Sequence, residues 1–266
     1  MKKSASRYDR ILEEVFVSRY RPGATVVAFQ RGDIEEAARR LRVTLPKNLG
    51  DLIYSFRYRS RWLAAVSATA PAGMNWTIIP AGRSRYKFAL TKVVDFAPNA
   101  ALAAIKIPDA TPGVIAQYAL NDEQALLARV RYNRLVDVFS GVTCYSLQNH
   151  LRTTVPAVGQ IETDEIYVGL DRRGAHYVFP VQAKGGRDRL TMVQIQQDFA
   201  MCRHKFPHLI CRPLGALFMA DEVIALFEFV ETPEGIRIAR ESHYRLAPPE
   251  QLSDEELLQY QRAQAD

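Results

Sequence analysis

The N-terminal part of the chain alternates apolar and polar positions at helical spacing. Apolar residues recurring every three to four positions predict a helix over residues 8–20. Asp33 can cap a second helix that runs to about Leu41, with acidic residues in its first turn and arginines in its last. Pro46 suits the first turn of a third helix, which we expect to end near Phe56. The first part of the chain is therefore predicted to be helical.

A β-hairpin is predicted over residues 74–92, with its turn around Ala81-Gly82. Two helices joined by a short turn and followed by a basic hairpin resemble a winged helix. The alternative is a small helical domain whose arginines are only solvated. The residues that we expect to contact DNA are Lys47, Asn48, Tyr54, Arg57, Arg59, Arg61, Arg83, Arg85 and Lys87.

The second part of the chain alternates strands and helices. Residues 96–120 are rich in alanine and proline with weak periodicity, which favours a linker. A helix is predicted from Asn121 through Phe139, ended by Gly141, with a buried stripe of Leu126, Leu127, Val130, Leu135 and Val138. Strands follow near 142–147, 161–169 and 176–183, then a helix at about 189–204, strands at 210–219 and 223–231, and two short strands near 236–246. A terminal helix begins at Ser253, which forms a capping box with Glu256.

Charge is unevenly distributed along the chain. The net charge is +6, but residues 1–100 hold 18 Lys and Arg against 8 Asp and Glu, while the remainder has a small negative excess. A basic first part favours a polyanionic partner such as double-stranded DNA, and a solvated basic surface is the alternative. No stretch approaches the length of a membrane span, so no membrane partner is expected. Three cysteines without a CxxC pair, and no secretory signal, favour a cytoplasmic protein.

Two strands around the turn Asp171-Arg172-Arg173-Gly174 carry the residues with chemical potential. Glu162 and Asp164 are two apart on the first strand, and Gln182 and Lys184 are two apart on the second. Antiparallel pairing would bring these side chains together at one end of the sheet. The alternative is a solvated hairpin with charged edges.

This mixture of side chains suits phosphodiester cleavage. Mg²⁺, for which Mn²⁺ can substitute, takes hard oxygen ligands, which Asp164, Gln182 and the Ala183 carbonyl could supply. Lys184 could hold the attacking water and offset charge in the transition state. The choice between Asp164 and Glu162 as principal metal ligand stays open, and Asp164 is preferred because it directly precedes the apolar run Ile166–Val168.

The order helix, strand, Asp-bearing strand, Gln-x-Lys strand, helix and strand resembles the core of the PD-(D/E)xK nucleases. The run Val181-Gln182-Ala183-Lys184 is most similar to the Mrr-type restriction endonucleases. The resemblance covers roughly residues 121–230 and, more loosely, 30–90. It implies an α/β fold in which a core with a mixed sheet flanked by helices, assigned to residues 121–266, follows a winged-helix-like α+β domain, assigned to residues 1–95. It also implies that Asp164, Gln182 and Lys184 are catalytic, with Glu162 as a second acid. Thr163 precedes Asp164 where the family signature has proline.

Further candidates and alternatives remain. The resemblance implies an accessory role for Gln194, which could equally be part of a polar helix face. Glu123 could assist the metal or simply favour the helix N-terminus. The Cys202–Cys211 segment has two cysteines and two histidines, but their spacing does not favour zinc. The sequence thus predicts a Mg²⁺-dependent restriction endonuclease. A homodimer is a further hypothesis, because cleavage of both strands would need two active sites. The alternatives are a repair or junction-processing nuclease and a DNA-binding regulator with an inactive core.

Overall fold

A computed structural model describes residues 7–46, 49, 53, 64–82, 84–92, 96–118, 123–156, 158–185, 189–233 and 235–263. The chain divides into two compact units. The N-terminal unit comprises Met1–Asp95 and Thr153–Ile161, and the C-terminal unit comprises Phe96–Arg152 and Glu162–Asp266. No helix among the described residues is long and apolar enough to cross a bilayer.

The N-terminal unit combines helices with a small antiparallel sheet. Its helices are α1 (Arg7–Arg19), α2 (Arg31–Leu41) and α3 (Ala64–Ser67). Its strands are β1 (Val26–Gln30), β2 (Met74–Pro80) and β3 (Arg85–Lys92), in the order β1-β3-β2. Phe16 of α1 lies edge-on to Trp76 and Phe88, with ring centroids 4.9 and 5.2 Å apart. These aromatic contacts tie α1 to the sheet and bury its apolar face.

Two predictions for this unit can be compared with the structure. The hairpin over residues 74–92 is confirmed, because β2 and β3 pair from Met74–Lys92 to Pro80–Tyr86. The predicted cap of α2 is wrong, because the helix begins at Arg31 and Gln30 is its cap. Asp33 lies in the first turn and accepts a 2.7 Å hydrogen bond from the Gln30 N–H. The predicted helix from Pro46 falls largely outside the described residues.

A large mixed sheet flanked by helices organises the C-terminal unit. Its strands are β4 (Ala104–Pro108), β5 (Thr143–Val155), β6 (Gly159–Leu170), β7 (His176–Lys184), β8 (Ile210–Cys211), β9 (Leu214–Phe218), β10 (Val223–Thr232) and β11 (Gly235–Ala247). The order is β4-β11-β10-β9-β7-β6-β5, and β8 pairs with β7. The β7–β9 and β4–β11 pairs are parallel, whereas β6–β7, β9–β10 and β10–β11 are antiparallel.

Among the described residues, three helices pack on the two faces of this sheet, and two further helices belong to the same unit. They are α4 (Gly113–Tyr118), α5 (Glu123–Tyr132), α6 (Leu135–Ser140), α7 (Met192–Lys205) and α8 (Asp254–Arg262). The apolar stripe of α5 and α6 packs on Phe179, Val181 and Ala183 of β7. Gln182 lies between Val181 and Ala183 in the strand, and its side chain is on the opposite face of the sheet, where it contacts α7. The alternation of side chains along β7 therefore places Gln182 on the face opposite to this apolar cluster.

The predicted helix over residues 121–139 is broken in two. Arg134 adopts a left-handed conformation (φ 50°) between α5 and α6. The helix direction changes there, so Val138 is 51% exposed rather than part of the buried stripe. Leu126, Leu127, Val130 and Leu135 are buried as predicted, and Gly141 ends α6 at φ 70°.

Two further segments differ from the sequence expectations. Residues 104–108 of the predicted linker form β4, which pairs in parallel with β11 from Ala104–His243 to Pro108–Ala247. The two short strands expected near 236–246 are the single strand β11, whose pairing with β10 shifts by one residue at a bulge between Glu228 and Phe229. The capping box of Ser253 and Glu256 at the start of α8 is confirmed.

Candidate active site

The candidate site lies where β6 and β7 diverge. Asp171 Oδ1 accepts hydrogen bonds from the N–H groups of Arg173 and Ala175, and Gly174 takes a positive φ of 79°, so a short turn folds the hairpin. Backbone pairing between the strands runs from Leu170–His176 to Glu165–Val181. Beyond that pair, β7 continues beside β9. Asp164, Gln182 and Lys184 follow directly after this point of divergence.

Lys184 is held in a cluster of oxygen atoms. Its Nζ donates a 2.7 Å hydrogen bond to the carbonyl of Ala183. Nζ also lies 3.5 Å from Oε1 of Glu123 and 3.8 Å from Oδ2 of Asp164. Its side chain is only 14% exposed, so these contacts are shielded from bulk water. The sequence-predicted residues Asp164, Lys184 and Glu123 are thus brought together.

Asp164 is held by the backbone of β7. Its Oδ2 accepts a 2.8 Å hydrogen bond from the Ala183 N–H. Burial raises the pKa of Asp164, whereas the charge of Lys184 and the Ala183 hydrogen bond lower it, and the charges of Glu123 and Glu162 raise it again. Among the described residues, no hydrogen bond to its Oδ1 is present.

Glu162 faces a different set of partners. Its Oε1 lies 2.9 Å from Nε2 of His150, and its Oε2 accepts a 2.9 Å hydrogen bond from Nε of Arg152. Both carboxylate oxygens are thus engaged by β5. The geometry therefore favours Asp164 over Glu162 as the principal acidic ligand.

Gln182 points into a buried polar network beneath α7. Its Nε2 donates to Oδ1 and Oδ2 of Asp198 at 3.1 and 3.0 Å and to the Glu162 carbonyl at 3.2 Å. Its Oε1 accepts a 3.2 Å hydrogen bond from Nε2 of Gln194. Gln182 is 1% exposed and Gln194 7%. Gln194, predicted as an accessory residue, thus contacts Gln182 and not the Lys184 cluster.

Asp198 and Thr163 are members of this network that the sequence interpretation did not include. The Asp198 carboxylate is completely buried and accepts a 2.6 Å hydrogen bond from the Thr163 hydroxyl. The pKa of Asp198 is raised to about 7, because burial and, to a smaller extent, the charge of Asp164 outweigh the hydrogen bonds from Thr163 and Gln182, which lower it. Asp198 follows Gln194 by four residues on α7, so both lie on one helix face. That spacing was the available sequence signal.

The donors at this site suit a hard divalent cation. Among the residues that the structure describes, no three His, Cys, Asp or Glu side chains are grouped to hold a metal ion. Nuclease-type ligation also uses carbonyl oxygens and water, however. The Lys184 ammonium already lies among the oxygens of Asp164, Glu123 and Ala183, which is an environment for a cation. The carboxylates of Asp164 and Glu123 and the Ala183 carbonyl are oxygen donors of the kind that Mg²⁺ takes, whereas the Gln182 side chain is hydrogen-bonded to Asp198, Gln194 and the Glu162 carbonyl.

The predicted DNA contacts are only partly described. Arg85 and Lys87 are two apart on β3 and pair with Gln30 and Ala28 of β1, so their side chains share one face. Arg85 is exposed and Lys87 half-buried. The other residues expected at this surface lie outside the described part of the chain: Lys47, Asn48, Tyr54, Arg57, Arg59, Arg61 and Arg83.

Comparison of the chain with protein-family models, with curated proteins and with solved structures returns no match.

Proposed function

We propose that the protein is a Mg²⁺-dependent endonuclease that hydrolyses phosphodiester bonds in double-stranded DNA and serves in restriction of foreign DNA. The observation that carries the proposal is the position of Lys184, whose ammonium contacts the carboxylates of Asp164 and Glu123 at the end of β7. An acid and a lysine converging at a strand end can supply a metal ligand and a charge-stabilising donor for phosphodiester hydrolysis, which supports the proposal.

Burial of these groups distinguishes the site from a solvated hairpin edge. The Lys184 side chain is 14% exposed and the Asp164 side chain 19%. Charged side chains are rarely buried to this extent unless they are paired or functional. The low exposure supports a site in which the charges of this cluster act on a bound phosphate with little screening.

Each residue has a distinct task in the proposed reaction. Asp164 and Glu123 would supply carboxylate oxygens, and the Ala183 carbonyl a neutral one, to the metal ion. Bound Mg²⁺ would stabilise charge on the attacked phosphate and lower the pKa of a coordinated water. Lys184, with three N–H donors, would orient the attacking water and donate to the phosphate oxygens as negative charge grows on them.

DNA binding would come from the basic N-terminal unit. Arg85 and Lys87 present two cationic groups on one face of β3. Contacts between such groups and phosphates provide affinity without sequence information. Cutting both strands of a duplex needs two active sites, which supports the expectation of a homodimer.

Plasmid digestion tests the proposal. The purified full-length chain is incubated with supercoiled plasmid and Mg²⁺ or EDTA, beside the Lys184→Ala variant. A matched control is Lys205→Ala, because Lys205 is exposed on α7 away from the cluster. We expect wild type and Lys205→Ala to cut the plasmid only when Mg²⁺ is present, and Lys184→Ala not to cut it. Cutting in EDTA, or equal cutting by Lys184→Ala, would refute the assigned chemistry.

A further inference from the structure

Four residues form an oriented row of hydrogen bonds beneath the candidate site. Thr191 donates from its N–H and hydroxyl to Oε1 of Gln194, at 3.2 and 3.0 Å. Gln194 Nε2 donates to Oε1 of Gln182, and Gln182 Nε2 donates to Asp198. The row joins the first turn of α7 to its middle through the side chain of Gln182 on β7.

The two ends of the row fix the direction of both amides. A backbone N–H can only donate, so Gln194 must turn its oxygen toward Thr191. The ionised Asp198 carboxylate can only accept, so above neutral pH Gln182 must turn its nitrogen toward it. The oxygen of Gln182 then meets the nitrogen of Gln194. The assignment of nitrogen and oxygen in Gln182, which could be ambiguous in an isolated amide, is thus set by Gln194 on one side and by Asp198 and the Glu162 carbonyl on the other.

This orientation matters because it also bridges the two diverging strands. Backbone pairing between β6 and β7 ends at Glu165–Val181. Past that pair, Gln182 Nε2 donates to the Glu162 carbonyl at 3.2 Å, and the Ala183 N–H donates to the Asp164 side chain at 2.8 Å. The first bond holds the backbone two residues before Asp164, and the second holds the Asp164 side chain. A Gln182 amide turned by half a rotation would face the Glu162 carbonyl with its oxygen and lose this bridge.

We infer that Asp198 is a positioning residue: together with Gln194 it holds the Gln182 amide so that its nitrogen ties Glu162 to β7 and aims Asp164 at the metal. Gln182 is then a residue that holds β6 and β7 together by hydrogen bonds, and not the metal ligand that the family resemblance implies. This inference rests on the proposed function, because it assigns a role toward the metal ion. It changes which residues belong to the ligand set, leaving Asp164, Glu123 and the Ala183 carbonyl.

Two substitutions distinguish a structural role of Gln182 from a role as metal ligand. Asp198→Asn replaces a partner that only accepts with one that also donates, so the Gln182 nitrogen loses part of what holds it in place. Gln182→Glu places a second carboxylate against Asp198 and removes the donor to Glu162. The double variant Gln182→Glu/Asp198→Asn restores a hydrogen-bonded amide–carboxylate pair, but its glutamate has no N–H for the Glu162 carbonyl. If Gln182 were a ligand, that glutamate would be the better one, because a carboxylate binds a hard cation more strongly than an amide.

The experiment measures thermal unfolding without metal and Mn²⁺ binding by isothermal titration calorimetry at pH 8, without DNA. Full-length wild type, the two single variants and the double variant are compared. Gln196→Glu is the charge-matched control, because Gln196 is exposed on the same helix. We expect Asp198→Asn to keep or raise the unfolding temperature while weakening Mn²⁺ binding about 10–100-fold, as for removal of a group that orients a ligand. The double variant should be more stable than Gln182→Glu and bind Mn²⁺ equally weakly.

The opposite results would overturn the inference. Mn²⁺ binding by the double variant as tight as wild type would make residue 182 a ligand. Wild-type affinity in Asp198→Asn would remove the positioning role of Asp198, even if the double variant failed to fold. Failure of the proposed function would give a different result. The variants would then rank in Mn²⁺ affinity as expected, but wild type would not cut plasmid.

Discussion

Arg131 on α5 donates a 2.8 Å hydrogen bond from Nε to Oε1 of Glu165, whose side chain on β6 is completely buried. Glu165 directly follows Asp164, so this pair fixes the strand beside the candidate site. Ser146 donates to the same oxygen at 2.6 Å, while Oε2 has no partner among the described residues. The buried carboxylate therefore depends on Arg131 for its compensating charge.

Arg131→Ala should destabilise the protein substantially, because it leaves a buried carboxylate without its counter-charge. We expect a loss of about 3 kcal/mol in the free energy of unfolding, at the lower end for a buried pair because Arg131 is 32% exposed. Urea denaturation measures it. The control is Arg203→Ala, which removes the exposed pair with Glu231 and should cost less than about 1 kcal/mol. Equal losses in the two variants would contradict the importance of burial.

The roles of the two acids on β6 can be separated by substitution. Glu162→Gln should retain cutting activity within about tenfold of wild type, because both oxygens of Glu162 are engaged by His150 and Arg152 and not by the cluster. Rates of plasmid nicking under saturating Mg²⁺ provide the comparison. Complete loss of nicking in Glu162→Gln, with unchanged unfolding temperature, would make Glu162 the principal ligand.

The stability of the metal-free protein should depend on pH through Asp198. Burial raises the pKa of this carboxyl from 3.8 to about 7 in the folded state. A raised acid pKa means that the folded state holds its proton more tightly, so the contribution to stability is fully present below pH 3.8 and is lost as the pH rises through about 7.

Asp198→Asn should therefore gain stability relative to wild type as the pH rises from 5 to 8. The gain is expected to be on the order of a few kcal/mol, since each unit of pKa shift corresponds to about 1.4 kcal/mol. Unfolding temperatures measured in EDTA across this range test the prediction. A constant difference between the two proteins would show that Asp198 does not titrate in this range.

The basic face of β3 should contribute to DNA affinity but not to chemistry. Arg85→Ala/Lys87→Ala should weaken duplex binding and reduce the slope of log affinity against log salt by about 2, because about one counterion is released per phosphate contact. Binding is measured by fluorescence anisotropy in EDTA at several salt concentrations. The control Lys205→Ala should leave the slope unchanged. An unaltered slope in the double variant would place the phosphate contacts elsewhere.

Local sequence rules were sufficient where structure depends on nearby residues. The hairpin of β6 and β7 follows from two apolar strands and a turn in which Gly174 adopts φ 79°. The capping box of Ser253 and Glu256 follows from residues three apart. The approach of Asp164 to Lys184 was expected from this hairpin, although both residues lie beyond its last backbone pair, Glu165–Val181.

Other features depend on contacts between distant segments. No glycine or proline marks the break between α5 and α6. Asn133 stabilises it by donating to the Arg129 carbonyl and by accepting from the Ala110 N–H, 23 residues away. The engagement of Gln182 by Asp198 likewise requires α7 to pack against β7. A Gln-x-Lys motif alone therefore could not show that the glutamine side chain faces the helix.

The most direct test of the central claim is the Mg²⁺-dependent nicking rate of Asp164→Asn compared with wild type. Asparagine can still accept the hydrogen bond from the Ala183 N–H, so the fold should be kept while the charge beside Lys184 is lost. The account predicts an unchanged unfolding temperature and a rate lowered by at least about 100-fold, as expected when a metal-binding charge is removed. Equal nicking by both proteins would contradict a metal-dependent nuclease site at Asp164 and Lys184.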